Sequence, residues 1–267
     1  MKVISYSLYN DRPKDVLNAI INCFLAKEIY KDWVCRFYID NTIPSFIKEA
    51  LLTFDNVEVV EMERHTDSSA MMWRFLPASD DSVDVMISRD ADSWLSYREF
   101  ICVEEFLKSD KKLHIIRDHC YHSQKIMGGM WGAKKGLIND IGSLINEYKS
   151  KSCYDQGFLA ECVYTKHLNE SLIHLGDQYT NTGIKANGYF SDGGVEIPNY
   201  SHINKKNEQF DFEKVHDMNK FHCAHCNKSH ETYIGAILDN IPNETLIFLK
   251  EYFIKHNIET SMIDSFL

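Results

Sequence analysis

Residues 83–92, Val-Asp-Val-Met-Ile-Ser-Arg-Asp-Ala-Asp, decide the fold of this chain. The apolar run from Val83 to Ile87 predicts a buried strand, and two aspartates, Asp90 and Asp92, follow its end. Two carboxylates one residue apart can share a divalent cation with a bound diphosphate, because Mg²⁺ and Mn²⁺ prefer oxygen ligands. An acidic triplet alone is more typical of a solvated turn. Its place directly after an apolar strand favours a metal site at Asp90 and Asp92.

The segments around this stretch alternate between strands and helices. Strands are predicted at 3–8, 34–39, 57–62 and 114–116, and helices at 11–25, 44–52, 71–76 and 96–107. This order predicts an α/β fold with a mixed sheet flanked by helices on both faces. Ligands bind such sheets at the carboxyl ends of the strands. We therefore expect one site to collect residues 6–9, Asp40, 90–92 and 117–119.

The second half of the chain is less regular. Three glycines within 128–132 predict tight turns or a close approach of the backbone to a ligand. Helices are predicted at 137–148, at 155–163 and from 245 onward, and long loops at 176–210. The sequence thus predicts a core at 1–175 and, in the same domain, loops and a helical extension at 176–267.

Composition excludes several classes of protein. The chain has 267 residues and a net charge of −10, which argues against a nucleic-acid-binding surface. No apolar run is long enough to cross a bilayer, and Met1 leads directly into a strand rather than into a signal peptide. The eight cysteines then indicate reduced thiols, and the sequence predicts a cytoplasmic protein, with no transmembrane segment.

Four further places carry candidate chemistry, each with a structural alternative. The charged residues 117–119 can bind sugar hydroxyls or phosphates, or form a surface salt bridge. Asp155 can be a general base or an acceptor ligand, or a helix N-cap. Arg74 can contact a diphosphate or pair with a buried carboxylate. His174 can be a third metal ligand, although a single histidine beside an apolar run is more often structural.

A separate cluster of cysteines and histidines lies at 222–230. Cys223, Cys226 and His230 have the spacing of zinc ligands, and one distant residue would complete a structural Zn²⁺ site. No second pair at similar spacing is present in the sequence. Buried thiols in a helix or turn are the alternative.

Several motifs occur in a consistent order along the first 175 residues. They are Met-Trp-Arg-Phe-Leu-Pro-Ala at 72–78, Ser-Arg-Asp-Ala-Asp-Ser at 88–93, Arg-Glu at 98–99, and further segments at 5–9, 36–40, 117–122, 128–134 and 154–159. Together they resemble a family of GT-A-fold glycosyltransferases. Members of that family occur in bacteria and in large DNA viruses, including the chloroviruses that glycosylate their own capsid.

The resemblance implies roles for particular residues. Asp90 and Asp92 are similar to the acidic pair that binds Mn²⁺ or Mg²⁺ in such enzymes. Positions that resemble the part holding the nucleoside, often uridine, are Ser5, Tyr6, Ser7, Tyr9 and Asp40. Positions that resemble sugar- and phosphate-facing residues are Arg74, Arg89, Gly128 and Gly129. The family tends to have His-Asp-Ser where this chain has His-Leu-Gly at 174–176, so the chain departs from the pattern at its predicted third ligand, His174.

The implied reaction moves a sugar from a nucleoside-diphosphate donor, with UDP favoured, to a hydroxyl of a glycan acceptor. Asp118 and Asp155 resemble the carboxylates nearest the donor sugar and the acceptor. An inverting enzyme would use Asp155, or else Asp118, as the base, whereas a retaining enzyme would use them to stabilise an oxocarbenium-like state.

Two other functions remain open at the level of sequence. A nucleotidyltransferase also uses paired carboxylates and a divalent ion, but it usually has a glycine-rich loop after the first strand, and residues 9–13 lack glycine. A non-catalytic carbohydrate-binding or zinc-stabilised interaction module would tolerate the loss of Asp90 and Asp92.

Overall fold

A computed structural model describes residues 1–63, 68–119, 122, 124–149, 154–176, 193–198, 221–223, 228–230, 235 and 241–267. Its main sheet contains eight strands: β1 Lys2–Leu8, β2 Trp33–Ile39, β3 Val57–Glu61, β4 Val85–Ser88, β5 Leu113–Arg117, β6 Trp131–Lys134, β7 Ser171–Leu175 and β8 Val195–Glu196. Their order across the sheet is β3-β2-β1-β4-β6-β5-β7-β8. The predicted mixed sheet is confirmed.

The strand directions determine which strand ends lie beside the acidic pair at the end of β4. β1 pairs in parallel with both β2 and β4, so these three strands end at the same edge. β6 runs antiparallel to its neighbours β4 and β5. This strand was not predicted, because its four residues, Trp-Gly-Ala-Lys, carry too short a pattern to indicate a strand.

The helices within the described residues are α1 Pro13–Ile29, α2 Ser45–Leu52, α3 Tyr97–Lys108, α4 Ile141–Lys149, α5 Asp155–Phe158, α6 Thr165–His167, α7 Asn243–Lys255 and α8 Ser261–Asp264. A 3₁₀ segment spans Ser68–Ser79, and a π turn, Leu159–Tyr164, follows α5. Proline at the first position starts α1, and the Ser96 hydroxyl caps α3 by accepting the Glu99 N–H at 3.2 Å. In the described part of the chain, no helix could cross a membrane.

Two hydrophobic cores lie on opposite faces of the sheet. Ile4 contributes to one core and Val3 to the other, since neighbouring residues of a strand point to opposite faces. The first core contains α1, α2 and the C-terminal helices, where Phe24 of α1 meets Phe248 of α7 at 5.0 Å between ring centroids. The 3₁₀ segment, α4 and α5 cover the second core. The predicted C-terminal helical extension therefore packs on the same face as α1.

A buried pair of histidines joins β5 to β7. His114 Nε2 lies 2.9 Å from His174 Nδ1, and His174 Nε2 lies 2.9 Å from a carboxylate oxygen of Glu105. Burial lowers the pKa of His174, and burial together with the neighbouring His174 lowers the pKa of His114 further. Both rings are therefore neutral in the folded protein at neutral pH.

We expect this pair to make the protein acid-labile below pH 6.5. The folded-state pKa values lie below the unfolded value of about 6.5, so the unfolded chain binds more protons as the pH falls. The free energy of unfolding should be constant above that pH. Below it, stability should decrease by up to about 1.4 kcal/mol per pH unit for each histidine. Urea unfolding between pH 5 and 8 measures this, and a flat profile for the wild type would contradict it.

Candidate functional site

A cavity of about 490 Å³ opens beyond the carboxyl ends of β1 and β4. Four stretches of chain form most of its wall: the end of β1 with the start of α1, the 3₁₀ segment, the loop after β4 and the start of α5. The charged residues among its lining are Arg12, Asp15, Arg74, Asp90, Asp92 and Asp155. This is the edge of the sheet at which the sequence predicts a ligand.

The acidic pair projects into this cavity. The side chain of Asp90 is 39% exposed and that of Asp92 is 17% exposed. Lys14 Nζ lies 3.5 Å from Asp92, near the start of α1. Burial, followed by repulsion from Asp90 and Asp15, raises the pKa of Asp92 above its usual value. The ionised form of Asp92 is therefore disfavoured in the folded protein, and a cation bound beside it would stabilise that form.

The residues of the pair fit a divalent cation that a substrate helps to hold. In the described ranges, no group of three or more histidine, cysteine or acidic side chains is arranged to bind a metal. If Asp90 and Asp92 both bound the cation, phosphate oxygens and water would fill its remaining coordination positions. Mg²⁺ is commonly bound in this way beside phosphates. One oxygen of the nearby Asp15 is buried without a hydrogen-bond partner, so this oxygen could accept a hydrogen bond from a ligand or from water bound to the cation.

Arg74 links the two sides of the cavity. One of its terminal nitrogens contacts Asp90 Oδ1, and the other donates to Asp155 Oδ2 at 3.0 Å. Its backbone N–H donates to Ser7 Oγ at 3.0 Å, which fixes the 3₁₀ segment against the end of β1. Burial opposes the charge of Arg74, but Asp90 and Asp155 outweigh it and raise its pKa above the ordinary value. Arg74 is therefore a permanent cation, and it pairs with carboxylates as well as facing the cavity.

Two glycines allow the loop before β6 to lie against these side chains. A Cβ atom at Gly128 would collide with Asp155 Oδ2 and with an Arg74 nitrogen. A Cβ atom at Gly129 would collide with the Asp90 side chain, with Cγ at 2.6 Å and the Asp90 backbone nitrogen at 2.9 Å. The Ser88 hydroxyl donates to the Gly128 carbonyl at 2.7 Å and holds the loop. The glycine run, predicted to approach a ligand, lies against the residues that would bind one, and Gly128 itself lines the cavity.

The structure brings only some of the predicted nucleoside-binding residues to the cavity. Ser7 and Tyr9 line the cavity. Tyr6 points to the other face, where it is fully buried and stacks on Phe37 at 4.7 Å between ring centroids. Ser5 is also fully buried and does not line the cavity. The structure therefore does not bring Ser5 and Tyr6 to the cavity, and a donor-binding role for them stays a prediction.

Asp40 and Arg89 serve the scaffold beside the cavity rather than its lining. Asp40 Oδ1 accepts the Thr42 N–H at 3.0 Å and so orders the loop after β2. Arg89 is buried, and its Nε donates to Glu99 Oε1 at 2.7 Å. Arg89 and Asp90 are adjacent and point apart, so only Asp90 reaches the cavity. Arg89, predicted to face the sugar or phosphate, therefore lies in a buried ion pair with Glu99 and is not brought to the cavity.

His174 and Asp118 also lie outside the cavity lining. Both ring nitrogens of His174 contact side chains, and β7 is three strands away from β4, so His174 does not join the acidic pair. Both carboxylate oxygens of Asp118 accept hydrogen bonds from Arg98, at 2.7 and 2.8 Å. The structure therefore places His174 in a buried pair away from Asp90 and Asp92 and pairs Asp118 with Arg98, so it brings neither residue to the cavity.

The zinc prediction falls largely outside the described residues. The strands β9 (Phe221–Cys223) and β10 (Lys228–His230) pair antiparallel, and Cys226 lies in the segment between them that is not described. The described residues show no zinc site, and zinc binding stays a prediction.

Among the charged and histidine side chains of the wall, sequence reasoning did not single out Arg12, Asp15 and His122. Arg12 and Asp15 flank Pro13 at the start of α1, and Arg12 Nε donates to Asp15 Oδ2 at 2.7 Å. Their position in the sequence could have indicated a place in the cavity wall. They are charged residues at the start of the helix that follows β1, and that helix begins at the ligand-binding edge of the sheet.

No protein-family model matches the chain, and no curated protein matches it in sequence. Among solved structures, 4-diphosphocytidyl-2C-methyl-D-erythritol synthase from Anaerococcus prevotii is 12% identical, with a TM-score of 0.45 over 66% of this chain and 88% of its own. The galactosyltransferase LgtC, in complex with donor and acceptor sugar analogues, is 10% identical, with a TM-score of 0.44 over 65% and 73%. S. aureus TarS 1–349 is 13% identical, with a TM-score of 0.45 over 64% and 57%. No functional conclusion follows from matches at this level, and the resemblance to bacterial and viral enzymes stays a prediction.

Proposed function

We propose that this protein is a metal-dependent glycosyltransferase that uses a nucleoside-diphosphate sugar, with UDP as the favoured nucleotide. The observation that carries the proposal is the acidic pair at the end of β4, which opens into a cavity shared with Arg74 and Asp155. The volume of about 490 Å³ is within the range of cavities that hold small ligands. Of the motifs on which the family resemblance depends, the one at 88–93 contributes Asp90, Ala91 and Asp92 to the lining of that cavity, and the one at 72–78 contributes Arg74.

In this proposal, each group of the cavity has a separate task. Asp90 and Asp92 would hold Mn²⁺ or Mg²⁺, which neutralises the charge that develops on the leaving diphosphate. Ser7 and Tyr9 would contact the nucleoside. Asp155 would accept the proton of the acceptor hydroxyl, or stabilise positive charge on the donor sugar, since it lies across the cavity from the pair and is joined to it through Arg74.

Nucleotide binding with and without metal tests the proposal directly. Melting temperatures should rise with UDP or a UDP-sugar in the presence of Mn²⁺, because a ligand that binds only the folded state stabilises it by mass action. EDTA should abolish the increase. The absence of any shift with UDP, GDP or CMP and their sugars would favour the carbohydrate-binding module. Release of diphosphate from a nucleoside triphosphate and a sugar phosphate would favour the nucleotidyltransferase.

We expect Asp155→Asn to separate binding from turnover. The variant keeps the shape of the side chain but removes its charge, so kcat should fall by about 10²- to 10⁴-fold. The affinity for UDP with Mn²⁺ should change less than about threefold. Turnover of the UDP-sugar that gives the largest melting shift, together with UDP calorimetry, measures both quantities.

The matched control for Asp155 is Glu161→Gln, an exposed acid in the next turn of the chain. It should behave as the wild type. Asp155→Asn with normal kcat would remove Asp155 from the mechanism and leave the metal site untouched.

A further inference from the structure

Arg12 lines the cavity just before α1 and has no task in the proposed chemistry so far. Its backbone is fixed, because its carbonyl accepts the N–H groups of Asp15 and Val16, at 2.9 and 3.2 Å, and Pro13 follows it as the first residue of the helix. The side chain of Arg12 is 60% exposed, whereas that of Asp15 is only 9% exposed. A mostly exposed cation is therefore attached to a rigid helix start in the wall of the cavity.

Asp15 holds one edge of the Arg12 guanidinium. Arg12 Nε and Nη2 lie 2.7 and 2.6 Å from the same oxygen, Asp15 Oδ2. A guanidinium is planar and carries five N–H donors, so the contacts with Asp15 use only the edge formed by Nε and Nη2. The end formed by Nη1 and the second proton of Nη2 has no partner among the residues that the structure describes. Arg12 thus keeps donor capacity for a ligand while Asp15 restricts the orientation of the group.

The charges of the lining leave the binding of an anion to Arg12. The lining contains four aspartates and two arginines, and Asp90 and Asp155 engage both terminal nitrogens of the other arginine, Arg74. Lys14 Nζ, two residues beyond Arg12, lies 3.5 Å from Asp92, so the start of α1 lies beside the proposed metal ligands. An anion that contacts a cation at this place would be close to Arg12, whose positive charge would offset part of the repulsion from the aspartates.

We propose that Arg12 is a further ligand-binding residue of the cavity, whose terminal nitrogens donate to the diphosphate of the nucleotide-sugar donor. The inference rests on the proposed function, since it assigns part of the ligand of the same cavity. Arginine suits the task because its planar end can bind two phosphate oxygens at once, and such charge-assisted hydrogen bonds are stronger than neutral ones. The alternative is an ion pair with Asp15 that only stabilises the start of α1, and this alternative predicts no effect of Arg12 on ligand affinity.

Substitutions that remove either the charge or the planar end of Arg12 test this assignment. Arg12→Gln removes the charge, whereas Arg12→Lys keeps a cation beside Asp15 but lacks the planar group. Calorimetry with Mn²⁺ would compare UDP and inorganic pyrophosphate with uridine, which carries no phosphate. We expect Arg12→Gln to weaken the binding of UDP and of pyrophosphate about 10- to 100-fold, the effect of losing a hydrogen bond to a charged group. Arg12→Lys should weaken both about 3- to 10-fold, because it loses the bidentate contact, and the affinity for uridine should not change.

Lys27→Gln is the matched control. Lys27 is also an exposed cation of α1 that pairs with an aspartate, Asp55 at 2.8 Å, but it lies in the last turn of the helix and does not line the cavity. The variant should bind UDP, pyrophosphate and uridine as the wild type does. A loss of affinity in Arg12→Gln but not in Lys27→Gln therefore reports the place of the cation and not the net charge of the protein.

The outcomes separate the role of Arg12 from the proposed function. Equal UDP affinity in the wild type and both Arg12 variants would overturn the role of Arg12 and leave the proposed function standing. Equal losses for UDP and uridine would overturn it as well, because they would indicate a structural role. A wild type that binds pyrophosphate through Arg12 but binds no nucleotide would overturn the proposed function alone, and one that binds neither would overturn both. Arg12→Lys, which keeps the charge beside Asp15, decides the matter even if Arg12→Gln does not fold.

Discussion

Replacing Asp92 by asparagine should lower kcat/KM by about 10³-fold or more while the protein remains at least as stable as the wild type. The loss of activity follows from removing one of two carboxylates that the proposal assigns to the cation, because such electrostatic groups contribute several kcal/mol to the transition state. The gain in stability follows from the site itself. Burial and the charges of Asp90 and Asp15 raise the pKa of Asp92, so its ionised form is unfavourable in the folded protein.

The opposite directions of these two effects make the Asp92 experiment decisive. Substitution of a carboxylate with a structural role would destabilise the protein. A carboxylate that binds a ligand instead carries a charge that is unfavourable until the ligand is bound, so its removal does not destabilise the protein. Turnover, UDP calorimetry with Mn²⁺ and thermal melting should be measured on the same preparation. Asp81→Asn, at a fully exposed acid near Lys135, is the matched control and should change none of the three. Normal turnover of Asp92→Asn would show that the acidic pair is an ordinary turn.

Replacing Gly129 by alanine should both destabilise the protein and disable nucleotide binding. The added methyl group would collide with the Asp90 side chain and with its backbone nitrogen at 2.9 Å, so the side chain alone cannot relieve the contact. Either the loop before β6 or the end of β4 must move. Overpacking of this kind costs about 1–3 kcal/mol, and here the displaced residue is one of the proposed metal ligands.

Gly142 supplies the control for this substitution. It lies in α4, and a Cβ atom there would have Leu76 Cδ2 as its nearest neighbour, at 3.8 Å. Gly142→Ala should therefore be neutral or stabilise the helix by up to about 1 kcal/mol. Urea unfolding gives both values, and UDP calorimetry with Mn²⁺ shows whether Gly129→Ala has also lost the site. A Gly129→Ala protein with wild-type stability and binding would mean that the loop does not rest on Asp90.

The sequence alone predicted the layered α/β fold and the edge of the sheet at which the candidate cavity lies. The strand at 83–87 and the pair Asp90 and Asp92 are adjacent in the chain, so local pattern was enough to predict that carboxylates follow a buried strand. The alternation of strands and helices then predicted a sheet with helices on both faces, which is the observed architecture. These features depend on periodicity and on short-range order, which a single sequence contains.

Only the tertiary structure decided which side chains share the cavity. Tyr6 and Ser7 are neighbours in one motif, yet the pleat of β1 sends Tyr6 into the core and Ser7 to the cavity. Arg89 and Asp90 diverge in the same way, because Glu99, which pairs with Arg89, is contributed by α3. The partner of a buried charge belongs to another element of the fold, and no local pattern identifies it.

The bridge from Asp90 through Arg74 to Asp155 joins residues that are 16 and 81 positions apart. The hydrogen bond that fixes His122 depends in the same way on how the chain turns after β5. The sequence therefore determined where chemistry can take place. Charged side chains from separate elements pair with one another, because buried polar groups without partners are costly. This pairing decided which residues face the cavity.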